Sequence, residues 1–301
     1  MSETDLRPMT LGEVLDRTFK LYKSNFLLFA GIAALPYLMI LLVEVVTAAI
    51  QGGSRASQGA PSISPTLLAG ALAGGSIVAI LYLLMTGAAH AATVFAVSDL
   101  YLARPASVRG SFSRVGAKVF RVLLVFLMIG VVVGGGFLLI AVVGAIARSA
   151  AIIGIGIILL IVPAILFVCR AAVAVPVAML EDIGAFRSLE RSLQLTKGHA
   201  MQLFLIFLLV ACLSYITLLV LQAPFMALAA ASAAAHQSPS LGVQILQYLA
   251  MFVSQVLVGP IGTIAFSLMY YNLRVRKEAF DIQHLMASLG TSGPPNAPSA
   301  A

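Results

Sequence analysis

Charged residues are scarce in this chain. Asp, Glu, Lys and Arg make up 10% of its 301 residues, whereas an ordinary globular domain carries about 25%. Hydrophobic residues make up 61%, and the mean hydropathy is +1.05. This composition excludes an ordinary water-soluble domain and indicates an integral membrane protein.

Cysteine and catalytic signatures are also scarce. Cys169 and Cys212 lie inside apolar runs, so we expect packing residues and neither a disulfide framework nor a thiolate metal site. The glycine cluster at 134–136 lies within an apolar run without a following Lys or Thr, which excludes a phosphate-binding loop. With no metal-ligand spacing and no Ser-His-Asp set, we expect neither enzyme activity nor a cofactor.

Six apolar runs dominate the sequence. They cover Phe26 to Ile50, Leu67 to Ser98, Val122 to Ala147, Ala150 to Leu180, Met201 to Ala235 and Leu241 to Leu273. Each exceeds the roughly 20 residues that cross a bilayer as a helix, and none shows the two-residue alternation of a barrel strand. We therefore predict an all-α, six-span membrane domain over residues 1–281. Because polar residues precede the first run, we expect no cleaved secretory signal.

The few cations are distributed unevenly around these spans. All Lys and Arg except Arg55 and Arg148 lie before the first span, after the second, from Arg170 to the end of the following connection, or at the C-terminal end. Cytoplasmic connections carry the Lys and Arg excess. The distribution of Lys and Arg therefore predicts that both termini are cytoplasmic. Separately, the composition of residues 282–301 predicts a tail that is disordered from about residue 290.

An amphipathic segment precedes each predicted hairpin. In the first, Thr10 and Glu13 match a capping box, T-x-x-E. In the second, at 104–121, apolar residues recur at helical spacing among five cations, and in the third Asp182 is positioned to cap a helix with Phe186 and Leu189 on one face. The chain therefore reads as three parallel repeats, each with an interfacial helix followed by a transmembrane hairpin.

Small and ionisable residues inside the spans suggest contacts. Gly130 and Gly134 form a G-x-x-x-G motif of the kind that brings helices together.

Two ionisable residues lie inside the predicted spans. At 1.5 Å per residue, His90 lies about 13 Å and Arg170 about 17 Å from the inner end of its span, counted from Asp99 and Glu181 respectively. They could share a polar pocket between the second and fourth spans that binds a lipid phosphate or anionic ligand. Alternatively, His90 bonds a carbonyl and Arg170 reaches inner-leaflet phosphates by itself.

Basic residues of the two long connections are candidate contacts for lipid phosphates. Cations near an anionic membrane surface attract it by about 1 kcal/mol each, although such clusters commonly do no more than fix topology. The candidates are Arg109, Arg114, Lys118, Arg121, Arg187, Arg191 and Lys197. Nucleic acid is not an expected partner, because the sequence has no soluble module to dock it.

Three segments support a family resemblance. LRPMTLGEVLDRTFKLYKSNF at 6–26, MLEDIGAFRSLERSLQLTKGH at 179–199 and YYNLRVRKEAFD at 270–281 resemble the membrane domain of glycerophosphoryl diester phosphodiesterases, which also occurs alone in many bacterial proteins. The resemblance implies a helical protein of a bacterial inner membrane. It does not imply phosphodiesterase activity, because no His is followed by Arg and no long soluble segment is present.

These features favour a non-enzymatic membrane scaffold or accessory protein that binds anionic lipid, with protein partners unknown. The alternative is a transporter or channel for a small solute or lipid. A transport path would bring His90, Arg170, Gln222 and Gln255 to one cavity, whereas a scaffold would pack its centre with Leu, Ile and Ala.

Overall fold

The computed structural model describes residues 9–55, 65–234 and 240–278, and within these ranges the chain is helical and without strands. The helices are α1 Leu11–Ser24, α2 Phe26–Arg55, α3 Pro65–Tyr101, α4 Val108–Ser113, α5 Val119–Ile146, α6 Ala150–Ala171, α7 Ala174–Leu180, α8 Ala185–Leu195, α9 Ala200–Ala234 and α10 Leu241–Glu278. The predicted tail at 282–301 lies outside the described residues.

Six segments are long and apolar enough to cross a membrane, which confirms the all-α fold with six candidate spans. They cover Phe26–Ala49, Gly74–Tyr101, Gly116–Ile146, Ala150–Leu180, Ala200–Ser232 and Leu241–Glu278. The fourth span consists of two helices, α6 and α7, because the chain makes a turn at Ala172 and Val173. The arrangement as three repeats stays a prediction.

The six spans pack in chain order. Each span contacts the next, and the sixth contacts the first, so the helices form a closed circuit. The sixth span, α10, also packs against the second, α3. In the most apolar 18-residue stretch of each of these two spans, 33% of the stretch is buried inside the bundle, whereas the corresponding share is 6% in the third and fourth spans. The second and sixth spans therefore carry much of the core, while the third and fourth expose apolar side chains that suit a lipid environment.

Glycines allow α5 and α6 to approach closely. A Cβ built at Gly144 would lie 2.1 Å from Cγ1 of Ile153, and a Cβ at Gly156 would lie 2.6 Å from Cγ2 of Ile140. At Gly130 and Gly134, by contrast, a Cβ would meet no described atom within 4 Å. The contact face of this hairpin therefore uses glycines other than those of the predicted G-x-x-x-G motif.

One end of the bundle carries most of the polar contacts. We call it the charged end: it comprises α1, the connection at 102–118, the segment from the end of α7 through α8 to residue 199, and the last turns of α10. The predicted capping box begins α1, where Glu13 N donates to Thr10 Oγ1 at 3.4 Å and Thr10 N donates to Glu13 Oε2 at 2.7 Å. The cap fixes where α1 begins, and Tyr22 at its other end donates a hydrogen bond to the carbonyl of Leu257 in α10 (2.6 Å).

A buried amide joins the start of α1 to the end of α10. Asn272 Oδ1 accepts from Met9 N at 2.8 Å, and Asn272 Nδ2 donates to Met9 O at 3.0 Å. Arg276 donates a further bond to the same carbonyl (2.6 Å). The side chain of Asn272 thus pairs with the backbone of Met9 as a neighbouring strand would, and it joins the start of α1 to the last turns of α10.

Replacing Asn272 by Leu is expected to lower the free energy of unfolding by about 2 kcal/mol, because the buried N–H of Met9 loses its acceptor. Denaturant titration in detergent micelles measures this loss. Gln194→Leu is the matched control: it removes an exposed amide bonded to Glu190 and should change stability by less than about 0.5 kcal/mol. Equal losses in both variants would contradict a specific role for Asn272.

The amphipathic helix predicted at 104–121 is interrupted. The structure has the six-residue α4, a turn, and a 3₁₀ segment at Gly116–Lys118 before α5 begins. Gly116 adopts φ +42°, a left-handed conformation that ends a helix. Val119 and Arg121 consequently belong to the first turn of α5 instead of a continuous surface helix, and this part of the prediction is wrong.

The third surface helix forms, but its cap and its buried face differ from the prediction. Helix α8 is preceded by Gly184 as its N-cap residue, and Asp182 lies outside it. Phe186 is 72% exposed, whereas Ser188 and Ser192 are fully buried. Ser192 Oγ donates to the carbonyl of Arg170 at 2.6 Å. Small hydroxyl residues let α8 lie close to α6 and α7, which leaves Phe186 facing away from the bundle.

Candidate functional site

An open cavity of about 520 Å³ lies at the charged end, between the ends of α3, α7 and α10 and the turn that precedes α5. Its lining combines three cations, one acid, three hydroxyl groups and apolar side chains: Arg114, Lys118, Arg274, Asp182, Ser98, Tyr270, Tyr271, Phe95, Leu102, Met179 and Leu180. Cations above an apolar wall are the chemistry that an anionic amphiphile requires.

Two of the cations lie beside one aromatic ring. The guanidinium carbon of Arg114 lies 4.4 Å from the centroid of Phe95, and the ammonium of Lys118 lies 5.8 Å from it. Arg114 also donates to both carboxylate oxygens of Asp99 at 2.8 Å. The turn at 114–118, which the left-handed Gly116 creates, therefore brings both cations to the same wall of the cavity.

Two tyrosines of α10, Tyr270 and Tyr271, also line the cavity. Tyr271 donates a hydrogen bond to Ser98 Oγ at 2.8 Å, and its ring stacks on Tyr101 with the centroids 4.5 Å apart. The guanidinium carbon of Arg17 in α1 lies 4.6 Å from the centroid of the Tyr101 ring. These contacts hold α1, α3 and α10 in fixed positions next to the cavity.

A cluster of ion pairs positions the third cation. Arg274 Nε donates to Glu278 Oε2 at 2.9 Å, and Arg191 of α8 bonds both Glu278 and Glu181. Tyr270 donates to Glu181 Oε1 at 3.1 Å. Because the cluster joins α8, the end of α7 and α10, it both closes the charged end and orients Arg274 toward the cavity.

Asp182 lies at the rim of the cavity. Its backbone has φ +55°, and its carboxylate bonds Arg121 as well as the ammonium of Lys118, with Nζ and Oδ1 3.1 Å apart. The hydrogen bonds from Arg121 and Lys118 lower the pKa of this carboxyl below its usual value. Asp182 therefore stays ionised at neutral pH and neutralises part of the positive charge at the rim.

His90 occupies a separate polar cavity of about 30 Å³ between α2, α3 and α10. Its Nδ1 lies 2.8 Å from Thr263 Oγ1, and its ring meets Phe126 edge to face at 5.5 Å. Thr86 also lines this cavity, and its buried Oγ1 has no partner among the described residues. Arg170 does not line it, so the structure does not form the predicted pocket from His90 and Arg170.

Arg170 instead bonds the end of helix α8. Its Nη2 donates to the carbonyl of Leu193 at 2.7 Å, and its Nε donates to Thr196 Oγ1 at 3.4 Å. A cation at the C-terminal end of a helix satisfies unpaired carbonyls and complements the helix dipole. These contacts differ from both sequence-based interpretations of Arg170, since they place the guanidinium on α8 and not beside His90.

Replacing Arg170 by Met should lower the free energy of unfolding by about 1 to 2 kcal/mol, because the α8 carbonyl loses a charged donor. Lipid affinity should stay unchanged. The matched control is Arg187→Met, which removes an exposed cation from α8 itself. If Arg170→Met weakened lipid binding without changing stability, its main role would be contact with the lipid phosphate.

The seven predicted phosphate contacts fall into three groups. Arg114 and Lys118 line the cavity. Arg121 and Arg191 do not line it: Arg121 bonds the lining residue Asp182, and Arg191 bonds Glu181, which accepts from the lining residue Tyr270. The remaining three are exposed on the charged end and do not line the cavity: Arg109, Arg187 and Lys197.

Sequence reasoning missed Arg274 as a site residue. The distribution of charge along the sequence places it only among the C-terminal cations that indicate orientation. The spacing of Tyr270, Arg274 and Glu278 at i, i+4 and i+8 places all three on one helix face.

Among the described residues, no group of three or more His, Cys, Asp or Glu is arranged to hold a metal ion.

Searches of protein-family models, curated proteins and solved structures gave no match to this chain. The resemblance to the phosphodiesterase membrane domain therefore stays a prediction. Any assignment of function depends on the geometry of the chain itself, in which the cavity at the charged end is the largest collection of cations and hydroxyl groups described above.

Proposed function

We propose that this chain is a non-enzymatic multi-pass membrane protein that binds the headgroup of an anionic phospholipid in the cavity at its charged end. The observation that carries the proposal is the position of Arg114, Lys118 and Arg274 around one open cavity. All three lie where candidate spans begin or end, which is the depth at which phospholipid headgroups lie.

The lining favours a lipid over a free anion. Leu102 and Leu180 are part-exposed and provide apolar surface beside the cations, and an acyl chain or glycerol backbone would cover it. The volume of about 520 Å³ falls within the range of small-ligand sites. A soluble phosphate would use the cations and leave the apolar wall in contact with water.

The distribution of charge supports an orientation. Because Lys and Arg are enriched in cytoplasmic connections, the charged end would face the cytoplasm, with both termini on that side. Cytoplasmic leaflets carry the anionic lipids that such a cavity would bind. The family resemblance adds a bacterial inner membrane as the location and a scaffold or accessory role, with protein partners yet to be identified.

Transport receives less support from the described contacts. The polar cavity at His90 has room for about one or two water molecules. Arg170 bonds α8, and Gln222 Nε2 donates to the carbonyl of Gln247 at 3.3 Å. These polar groups join neighbouring helices, whereas a transport path would need them around a shared cavity.

The test is a binding titration of the full chain in mild detergent with phosphatidylglycerol and with phosphatidylcholine of the same acyl chains. The proposal predicts tighter binding of phosphatidylglycerol. A third arm uses soluble glycerol phosphate, which should compete only weakly because it lacks the chains that cover the apolar wall. Equal affinity for the two lipids would overturn the proposal, and tight binding of glycerol phosphate alone would identify a soluble anion as the ligand.

A further inference from the structure

Asp182 differs from the other acids near the cavity in its freedom to move. Its side chain is 62% exposed, whereas Asp99 is 15% exposed and Glu278 is 21% exposed. Asp99 pairs with Arg114, and Glu278 pairs with Arg274 and Arg191. These more buried acids are held within the fold, but the carboxylate of Asp182 can leave its partner and enter water.

Asp182 also bonds two cations that differ in their relation to the cavity. Lys118 lines the cavity, with its ammonium 3.1 Å from Asp182 Oδ1, whereas Arg121 does not line it. When an anion in the cavity takes the ammonium of Lys118, the carboxylate can keep its bond to Arg121. One acid, Asp182, is therefore shared by two cations, and a ligand that binds Lys118 leaves Arg121 as the partner of Asp182.

We propose that the carboxylate of Asp182 occupies, in the lipid-free protein, the position on Lys118 that the phosphate of a bound anionic phospholipid takes. Asp182 thus competes with the ligand and sets its affinity; this inference rests on the proposed function. The competing acid keeps Lys118 paired when no lipid is bound, and the lipid exchanges one ion pair for another when it binds.

The backbone at this position permits a clean test. A positive φ at a residue other than Gly is uncommon, and Asn and Asp tolerate it better than most residues. Asp182→Asn therefore keeps the shape and the backbone preference while removing the charge. Asp182→Gly removes the side chain and also suits a positive φ.

The experiment measures phosphatidylglycerol affinity of the full chain in detergent. Exposed ion pairs contribute little each, so Asp182→Asn and Asp182→Gly should both raise affinity about two- to fivefold. Asp16→Asn is the matched control, because it removes the same charge from an exposed position of α1 outside the cavity. It should raise affinity less, since it acts only through the long-range field.

A second comparison identifies the cation through which Asp182 acts. In a Lys118→Gln background, Asp182→Asn should raise affinity no more than Asp16→Asn does. The inference is overturned if both Asp182 variants bind no tighter than wild type, if Asp16→Asn gives an equal gain, or if the full gain of Asp182→Asn persists without Lys118. Failure of wild type to prefer phosphatidylglycerol over phosphatidylcholine would instead overturn the proposed function, so the two failures are distinguishable.

Discussion

Replacing Lys118 and Arg274 together by Gln is expected to weaken phosphatidylglycerol binding about 30-fold, because each cation near a phosphate contributes about 1 kcal/mol and every 1.4 kcal/mol is a factor of ten. Both residues line the cavity, from the turn before α5 and from α10 respectively. Binding of phosphatidylcholine should change much less, since its headgroup carries no net charge. The double variant should therefore lose selectivity along with affinity.

The control for this prediction removes the same charge elsewhere. Arg109 and Arg187 are exposed at the charged end and do not line the cavity, so replacing both by Gln should reduce affinity only a few-fold. Arg274 also pairs with Glu278, and a thermal melt of each variant must accompany the titration. Equal losses in the two double variants would show that binding depends on total charge, and that the cavity has no special role.

Replacing Gly144 by Val is expected to destabilise the α5–α6 hairpin by about 3 kcal/mol. The new Cβ would lie 2.1 Å from Cγ1 and 2.9 Å from Cδ1 of Ile153, so both helices must move apart, and overpacking of this kind costs about 1 to 3 kcal/mol or more. Apolar contact between spans gains nothing from water exclusion inside a bilayer, which makes close packing the main attraction between them.

Gly134→Val provides the matched control on the same helix. A Cβ at Gly134 meets no described atom within 4 Å, so the substitution should change stability by less than about 1 kcal/mol. Reversible unfolding in mixed micelles measures both variants. If Gly134→Val were the more damaging change, the predicted G-x-x-x-G face would contact something other than the described residues, and α5 would pack through a second face.

The spans and the first cap could be predicted because they depend on local chemistry. An apolar run longer than the bilayer thickness must form a helix in lipid, and Thr10 and Glu13 are three residues apart, as a capping box requires. The interruption at Gly116 was harder to foresee. Glycine only weakens a helix, and whether it breaks one depends on what the following residues contact.

The site was predicted in part. Charge clustering identified Arg114 and Lys118 as candidate phosphate contacts, but it also included exposed cations on the same end of the bundle. Asp182 becomes visible only in three dimensions, because its partner Arg121 lies in a helix far away in sequence, and Arg274 reaches the cavity only because α10 packs against α3 and α7. Asp182 was interpreted as a cap, whereas its left-handed backbone and its bonds to α5 give it a different role.

The pocket expected from His90 and Arg170 shows the limit of counting residues along a span. A rise of 1.5 Å per residue gives depth, but not the direction in which a side chain points. His90 bonds Thr263 of α10, and Arg170 bonds α8. Similar depth therefore did not bring the two side chains to one cavity.

An experimental structure of the wild-type chain in nanodiscs that contain phosphatidylglycerol would test the central claim most directly. The claim predicts a lipid phosphate in the cavity, within hydrogen-bonding distance of Lys118 and Arg274, with an acyl chain or glycerol along Leu102 and Leu180. A folded bundle whose ordered lipid phosphates lie only at exposed cations such as Arg109, with none in the cavity, would contradict it.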